Sequence, residues 1–155
     1  RAIKICVPVV LLSCLAFAQK ANIVFILADD VNHDAIGSYG GENVATPNID
    51  RLASQGIQFN QAYSAMAMCA PFRAELYTGL YPVRNGVASN HTSARPGTKS
   101  VCHYLSDLGY RVGLTGKKHA SPAETFPFES LSKGNGKSRK LDWKGMERFM
   151  GQDDE

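Results

Sequence analysis

Apolar and polar positions follow strand-like and helix-like periods in turn along residues 22–116. Residues 22–30, NIVFILADD, contain five consecutive apolar β-forming side chains, which predicts a strand covered on both faces in a parallel sheet. Residues 57–63, IQFNQAY, alternate as a second strand does. Residues 110–116, YRVGLTG, predict a short third strand.

Helical periods separate these strands. In residues 46–56, TPNIDRLASQG, Thr46 is a good N-cap, Pro47 suits the first helical position and Gly56 suits the residue after the helix. The apolar stripe of this helix would consist of Ile49, Leu52 and Ala53.

Two further segments are helical in pattern. Residues 71–79, PFRAELYTG, predict a helix that Gly79 ends. Residues 100–109 place apolar side chains at helical spacing ahead of Gly109. Alternating strands and helices indicate an α/β fold with a doubly wound sheet. Because such sheets usually have about five or six strands, we expect the chain to be the first part of a larger domain.

The end of the pattern is less regular. Residues after 121 are rich in Pro, Gly and Ser and predict a loop, with one weak helix at 143–150. Six Lys and Arg side chains gather in residues 133–148, a distribution typical of a solvated face. No aromatic or helix-turn-helix pattern accompanies them, so we expect no nucleic-acid binding. The net charge of +3 and 44% hydrophobic content suit a globular protein.

The N-terminus predicts export. Residues 1–18 contain two basic residues, an apolar run and a final AFA, which together predict a signal peptide cut before Gln19. The run is short for a bilayer span. A lipoprotein with Cys14 as the lipidated residue is the alternative. The first interpretation leaves residues 19–155 as the mature chain, in the periplasm, outside the cell or, in a eukaryote, in the lysosome.

The mature chain would retain two cysteines, Cys69 and Cys102. In an oxidising compartment they could form a disulfide, which requires Cα atoms within about 7 Å. Cys69 could instead be a packed thiol or a reactive group. In an exported chain, residues 90–92, NHT, would also form a glycosylation sequon.

Three polar clusters fall where predicted strands end or a helix begins. Asp29 and Asp30 end the first strand, the segment 69–73 opens a helix, and Lys117 and His119 follow the third strand. Ligands of open α/β sheets bind outside the carboxyl ends of the strands. We therefore expect all three clusters at one edge of the sheet.

The side chains in these clusters suit an anion beside a metal. Adjacent carboxylates such as Asp29 and Asp30 bind Ca²⁺ or Mg²⁺, or simply form a polar loop. Arg73 could hold an oxyanion with its planar fork, Lys117 could add a point charge and His119 could carry a proton. Each of these three also occurs as an ordinary surface residue. Together they predict a site for a tetrahedral dianion beside a cation.

The stretch CAPFRAELYTG resembles the C-x-P-x-R-x-x-x-x-T-G signature of the sulfatases. NIVFILADD, TPNIDRLA and YRVGLTGKKH resemble other N-terminal blocks of that family, in the same order, over residues 22–119. GKKH followed by a proline and FPFE resembles the heparan N-sulfatase (sulfamidase) branch. The resemblance implies an alkaline-phosphatase-like fold and hydrolysis of sulfate esters or sulfamates on a sulfated saccharide such as a glycosaminoglycan.

The resemblance also implies roles for single residues. A formylglycine-generating maturation enzyme would oxidise Cys69 to an aldehyde, whose hydrate attacks sulfur. Asp29 and Asp30 would bind Ca²⁺ together with that hydrate at position 69. Arg73 would hold the hydrate and Lys117 the sulfate oxygens. His119 would take the proton when sulfate leaves.

The chain also departs from the family pattern. Phe72 stands where sulfatases usually have serine, and Lys118 where a tryptophan is common. The family supplies two more metal ligands, a leaving-group histidine and a second lysine from later in its sequence. The chain alone is therefore expected to be an inactive N-terminal fragment. The alternatives are a phosphomonoester or phosphonate hydrolase of the same fold, and a non-catalytic segment with a Cys69–Cys102 disulfide.

Overall fold

The structure is a computed structural model that describes residues 20–131 together with residues 144, 146 and 149. Two 3₁₀ turns, His33–Ala35 and Gly37–Tyr39, come first. The helices are α1 (Pro47–Gln55), α2 (Cys69–Thr78), α3 (Pro82–Asn85) and α4 (Val101–Asp107), and the strands are β1 (Gly113–Leu114) and β2 (Glu129–Ser130). Within the described part of the chain, no helix has the length and apolar character needed to cross a membrane.

Helix α1 confirms the predicted limits. It begins at Pro47 after Thr46 and ends before Gly56. The Thr46 hydroxyl does not cap the helix end but donates to Asp50 Oδ1 at 3.0 Å and accepts from Gly37 N–H at 2.8 Å. Thr46 therefore joins α1 to the second 3₁₀ turn.

Helices α2 and α4 were also predicted, with α2 starting two residues earlier than expected. Gly79 follows α2 with φ 67°, and Gly109 lies just beyond α4 with φ 77°. Only glycine adopts this left-handed conformation without a steric cost, which is why the helices end at these positions.

The core lies against one face of α2. Its buried members are Ala70, Ala74, Tyr77, Val87, Ala94 and Phe126. The Tyr77 ring packs edge-on against Phe126, with centroids 6.0 Å apart, and against Phe128 at 5.0 Å. Burial raises the pKa of the Tyr77 hydroxyl. This packing fixes α2, and α2 carries the residues of the candidate site.

The strands differ from the prediction. Gly113 pairs with Glu129 and Leu114 with Ser130 in a parallel ladder, so the strand expected over 110–116 is only two residues long. The prediction of loop after residue 121 was wrong at β2. Residues 115–128 connect the two strands, a length that suits a parallel pair, which needs about a dozen residues or more.

The covered strand expected at 22–30 and the strand expected at 57–63 were also wrong for the described chain. Ile26 is 77% exposed and Tyr63 is 88% exposed. A strand needs a hydrogen-bonded neighbour, and none of the described residues pairs with either segment. The predicted stripe of α1 is uncovered as well, because Leu52 is 68% exposed.

Several predictions fall on other parts of the chain. The signal peptide at 1–18 and the alternative lipid site at Cys14 lie outside the described residues. The basic segment 133–148 and the helix at 143–150 lie mostly outside them. Arg111 does contact a described residue of that helix range, with its guanidinium 4.3 Å from the Phe149 ring centre.

Phe126 gives a direct test of the core. Its side chain is 1% exposed and packs on Tyr77, so Phe126→Ala is expected to lower the free energy of unfolding by about 3–5 kcal/mol. Denaturant unfolding of the 155-residue chain measures this change. Phe59→Ala is the matched control: Phe59 is 68% exposed, and its loss should cost less than about 0.5 kcal/mol. Equal losses in the two variants would contradict the described core.

Candidate active site

Asp29 and Asp30 follow the segment 22–28, and both are exposed where the chain bends. Asp30 has φ 54°, a left-handed conformation that aspartate tolerates better than most residues. The turn after Asp29 places both carboxylates on the side of the molecule where α2 begins.

Asp29 lies between two cations. Lys117 Nζ donates to its Oδ2 at 2.6 Å, and Arg73 Nη2 donates to its Oδ1 at 3.0 Å. The hydrogen bond from Lys117, followed by that from Arg73, lowers the pKa of the Asp29 carboxyl below its ordinary 3.8. The same bond to Asp29 raises the pKa of Lys117 above its ordinary 10.5. Asp29 and Lys117 are therefore both charged at neutral pH.

Arg73 is held more firmly than the other charged groups. Its side chain is 5% exposed, against 40% for Asp29 and 26% for Lys117. Besides its bond to Asp29, it donates through Nη1 to the Lys117 backbone carbonyl at 2.7 Å. One guanidinium thus joins α2 to the segments that carry Asp29 and Lys117, as its planar fork allows.

Cys69 is the first residue of α2, one helical turn before Arg73. Its Sγ lies 3.4 Å from Lys117 Nζ. Both Cys69 and Cys102 are free thiols, so the disulfide alternative is not present in the structure. Cys102 is 1% exposed in α4, and burial raises the pKa of its thiol. The reactive candidate is therefore Cys69.

Asp29, Asp30 and Cys69 form one cluster of possible metal ligands. One ligand atom from each lies within 4.8 Å of the other two. The two carboxylates supply the hard oxygen donors that Ca²⁺ prefers, whereas a thiol suits softer metals. The donor set fits Ca²⁺ if residue 69 also presents oxygen.

His119 is the predicted site residue that the structure connects least. It is exposed, has φ 42° and lies two residues beyond Lys117. Within the described part of the chain it makes no hydrogen bond to Asp29, Cys69 or Arg73. The charge cluster thus contains Asp29, Arg73, Lys117 and Cys69, with His119 at its margin.

Sequence reasoning missed one group beside the site. The Ala70 N–H donates to Asn90 Oδ1 at 2.9 Å, across 20 residues of sequence. The sequence does contain a sign of this contact. The residue before α2 is Met68, whose side chain has no acceptor with which to cap the helix. An acceptor from another part of the chain could therefore have been expected at the start of α2.

The pKa of Asp29 can be tested directly. Lys117→Ala removes the hydrogen bond that lowers the pKa of Asp29 most, so the pKa of this carboxyl should rise towards 3.8. A lowered pKa stabilises the fold above about pH 3.8, and the contribution disappears as pH falls through the folded-state value. An NMR titration of the carboxyl carbons, with a chelator present, measures the pKa of Asp29 in the unaltered protein and in Lys117→Ala. Lys99→Ala, at an exposed position, should leave the titration unchanged. A titration unaffected by Lys117→Ala would contradict the ion pair.

Most of the chain matches a known protein family. A profile described as Sulfatase matches residues 21–154. The chain belongs to the sulfatase family. The resemblance found in its motifs is thereby confirmed, and the enzyme class of its relatives is sulfatase.

Two curated sulfatase relatives show how much of a sulfatase is present. The chain is 46% identical over 114 residues to an ulvan-active sulfatase of Formosa agariphila, covering 74% of this chain and 23% of the relative. It is 33% identical over 129 residues to human N-sulphoglucosamine sulphohydrolase, covering 80% of this chain and 26% of the relative. The chain thus spans about a quarter of the length of these sulfatases.

Solved structures confirm the fold class. The crystal structure of a putative sulfatase from Bacteroides thetaiotaomicron matches with TM-score 0.61 and 27% identity over 74% of this chain and 25% of that one. A 2-O GAG sulfatase matches with TM-score 0.59 and 24% identity over 76% of this chain and 27% of that one, a likeness of fold alone. The predicted α/β, alkaline-phosphatase-like architecture is confirmed, with only its N-terminal part described here.

Proposed function

We propose that this chain supplies the nucleophile and two metal ligands of a sulfatase that hydrolyses a sulfated saccharide. The observation that supports it most is the contact of Cys69, at the start of α2, with Lys117 and, through Lys117, with Asp29. Cation, carboxylate and nucleophile precursor meet at one place, as hydrolysis of an anionic sulfate ester requires.

The nucleophile in this proposal is not the thiol. A maturation enzyme, with an external two-electron oxidant, converts the CH2–SH of Cys69 to the formylglycine aldehyde, and the sulfur leaves as sulfide. Water then adds to the aldehyde to give two hydroxyls on one carbon. One hydroxyl oxygen attacks sulfur, the bond between sulfur and the leaving oxygen or nitrogen breaks, and the saccharide leaves with a proton. The second hydroxyl then loses its proton, the carbon–oxygen bond to sulfate breaks, and the aldehyde forms again. Water rehydrates the aldehyde for the next cycle.

Lys117 and Arg73 have separate tasks. Lys117 is partly exposed and already touches position 69, so it is suited to bind a sulfate oxygen as negative charge develops on it. Arg73 is nearly buried and donates to Asp29 and to the Lys117 carbonyl, so it holds α2, which begins at residue 69, against the two segments that carry them. Lys117, the more exposed cation, binds the substrate, and the nearly buried Arg73 maintains the site.

Asp29 and Asp30 would hold Ca²⁺ together with an oxygen of hydrated residue 69. The bound cation would supply positive charge that makes the hydrate hydroxyl more acidic. Asp29 already accepts from two cationic side chains, so with Ca²⁺ bound its negative charge would be shared between the metal and the protein. His119 would accept the proton of the second hydroxyl, a role that rests on the family resemblance; it is exposed and follows Lys117 by two residues.

The substrate class rests on the named relatives. The human relative is named for a sulphated amino sugar, and the Formosa relative is named as active on ulvan. We infer a sulfated saccharide, carrying either a sulfate ester or the sulfamate that the GKKH and FPFE sequences favour. Export through the signal peptide at 1–18 and maturation by a formylglycine-generating enzyme belong to the same proposal. So does the expectation that the 155-residue chain alone neither binds Ca²⁺ tightly nor turns over.

The test uses the protein expressed from its complete reading frame together with a formylglycine-generating enzyme. Turnover of an aryl sulfate, an aryl phosphate, an O-sulfated and an N-sulfated glucosamine is compared. Sulfate release well above phosphate release supports the proposal, and the two sugars distinguish ester from sulfamate hydrolysis. Faster phosphate release would overturn it in favour of a phosphomonoester hydrolase. No release from any substrate would favour a non-catalytic segment.

A further inference from the structure

The start of α2 has no cap of its own. In an ordinary helix the side chain of the N-cap residue accepts from the N–H of the second or third helical residue. Met68 occupies the N-cap position and makes no such bond. Pro71, the third residue, has no N–H to satisfy. The one donor that a cap would serve is therefore the Ala70 N–H.

Asn90 provides that acceptor. Its Oδ1 accepts from the Ala70 N–H at 2.9 Å in a partly buried position. The loop that carries Asn90 is itself fixed, because Val87 and Ala94 on either side of it are 1% and 5% exposed. The Thr92 hydroxyl donates to the Ser89 carbonyl at 3.0 Å and closes the turn. Asn90 is thus presented to α2 by a rigid frame.

The hydrogen bond acts on residue 69 through the peptide bond. The Ala70 N–H lies in the plane of the peptide that joins residues 69 and 70, and that plane is rigid. Holding the N–H in one direction therefore fixes ψ of residue 69. That angle, together with the side-chain rotamer, decides where the group at position 69 points relative to Lys117, 3.4 Å away.

We propose that Asn90 is a positioning residue, which orients the nucleophile at residue 69 by capping α2 from the neighbouring loop. The inference rests on the proposed sulfatase function. It also gives the first residue of the NHT sequence at 90–92 a structural role, because Asn90 Oδ1 accepts from the Ala70 N–H beside the site.

Asn90→Ala is the decisive variant, in the protein from the complete reading frame matured with a formylglycine-generating enzyme. We expect kcat for an aryl sulfate to fall about tenfold with KM within about twofold, because a small misplacement of a reacting group affects the chemical step more than binding. Asn90→Asp retains the acceptor oxygen and should retain kcat within about threefold. It adds a negative charge near the sulfate, so KM is the parameter expected to rise. Asn48→Ala, at an exposed position of α1, is the matched control and should change neither.

Hydrogen exchange of the Ala70 amide supplies a readout that needs no substrate. Asn90→Ala should accelerate it at least about tenfold, while the Ala74 amide one turn later reports any general loosening of the helix. Faster Ala70 exchange with unchanged kcat would overturn the positioning role, and unchanged exchange would overturn the hydrogen bond itself. If the unaltered protein releases no sulfate, the proposed function fails, and the exchange comparison still decides whether Asn90 holds residue 69.

Discussion

Cys69→Ala is expected to lower kcat for an aryl sulfate by at least about 10⁴-fold, the largest effect of any single change in this chain. The Cβ of alanine is an unreactive methyl group that cannot be converted to the aldehyde or its hydrate, so neither the attack on sulfur nor the release of sulfate can occur. Cys69→Ser separates these steps. A serine hydroxyl can attack once, but it has no second hydroxyl to expel sulfate, so it should release at most one leaving group per molecule.

The control for this prediction is the second thiol. Cys102 is 1% exposed and belongs to α4 rather than to the charge cluster. Cys102→Ala should therefore retain kcat. Because Cys102 is buried, the unfolding temperature of this variant is measured first to establish that it is folded. Unaltered turnover in Cys69→Ala would refute the proposal that residue 69 supplies the nucleophile. Equal losses of kcat in the two cysteine variants would refute it as well.

Mass spectrometry tests the same residue before any assay. Trypsin cuts after Arg51 and Arg73 and releases a peptide of residues 52–73 that contains Cys69. Oxidation of the thiol to formylglycine makes this peptide lighter by about 18 Da, and the aldehyde is what the activated nucleophile requires. An active enzyme whose peptide retains the thiol mass would contradict the proposed chemistry, whatever the effect of Phe72 on maturation.

The helices could be predicted because their ends are local. Pro47 and Gly56 bound α1, and Gly79 ends α2, through conformations that each residue imposes on its own position. Strands depend on partners that are distant in sequence. The apolar run at 22–27 predicts a covered strand, but the described residues provide no neighbour for it, and Ile26 stays exposed. Strand β2 was missed because two residues carry too little pattern.

In the candidate site, too, some features could be predicted from the sequence and others could not. The ends of strands and helices, read from the sequence, placed Asp29, Cys69 and Lys117 at one edge, and the structure brings these three into contact. The connections that hold them could not be predicted. The Arg73 bond to the Lys117 carbonyl and the Ala70 bond to Asn90 join residues that no periodic pattern relates. Such bonds follow from the packing of α2 against its neighbouring loops.

Asp29→Asn is expected to weaken Ca²⁺ binding by at least about 100-fold and to lower kcat in proportion at limiting Ca²⁺. The reason is electrostatic as well as coordinative. Asp29 and Asp30 together balance Arg73 and Lys117, so removing one carboxylate charge leaves the site with an excess of positive charge that repels a divalent cation.

Calorimetric titration of the chelator-treated protein from the complete reading frame with Ca²⁺ measures this effect. Asp107→Asn is the matched control, since Asp107 is an exposed carboxylate at the end of α4 and should not alter the affinity. Turnover should also disappear on chelation and return when Ca²⁺ is restored in the unaltered protein. Equal Ca²⁺ affinity in Asp29→Asn and the unaltered protein would show that Asp29 serves only to pair Lys117 and Arg73. The metal would then have to bind elsewhere.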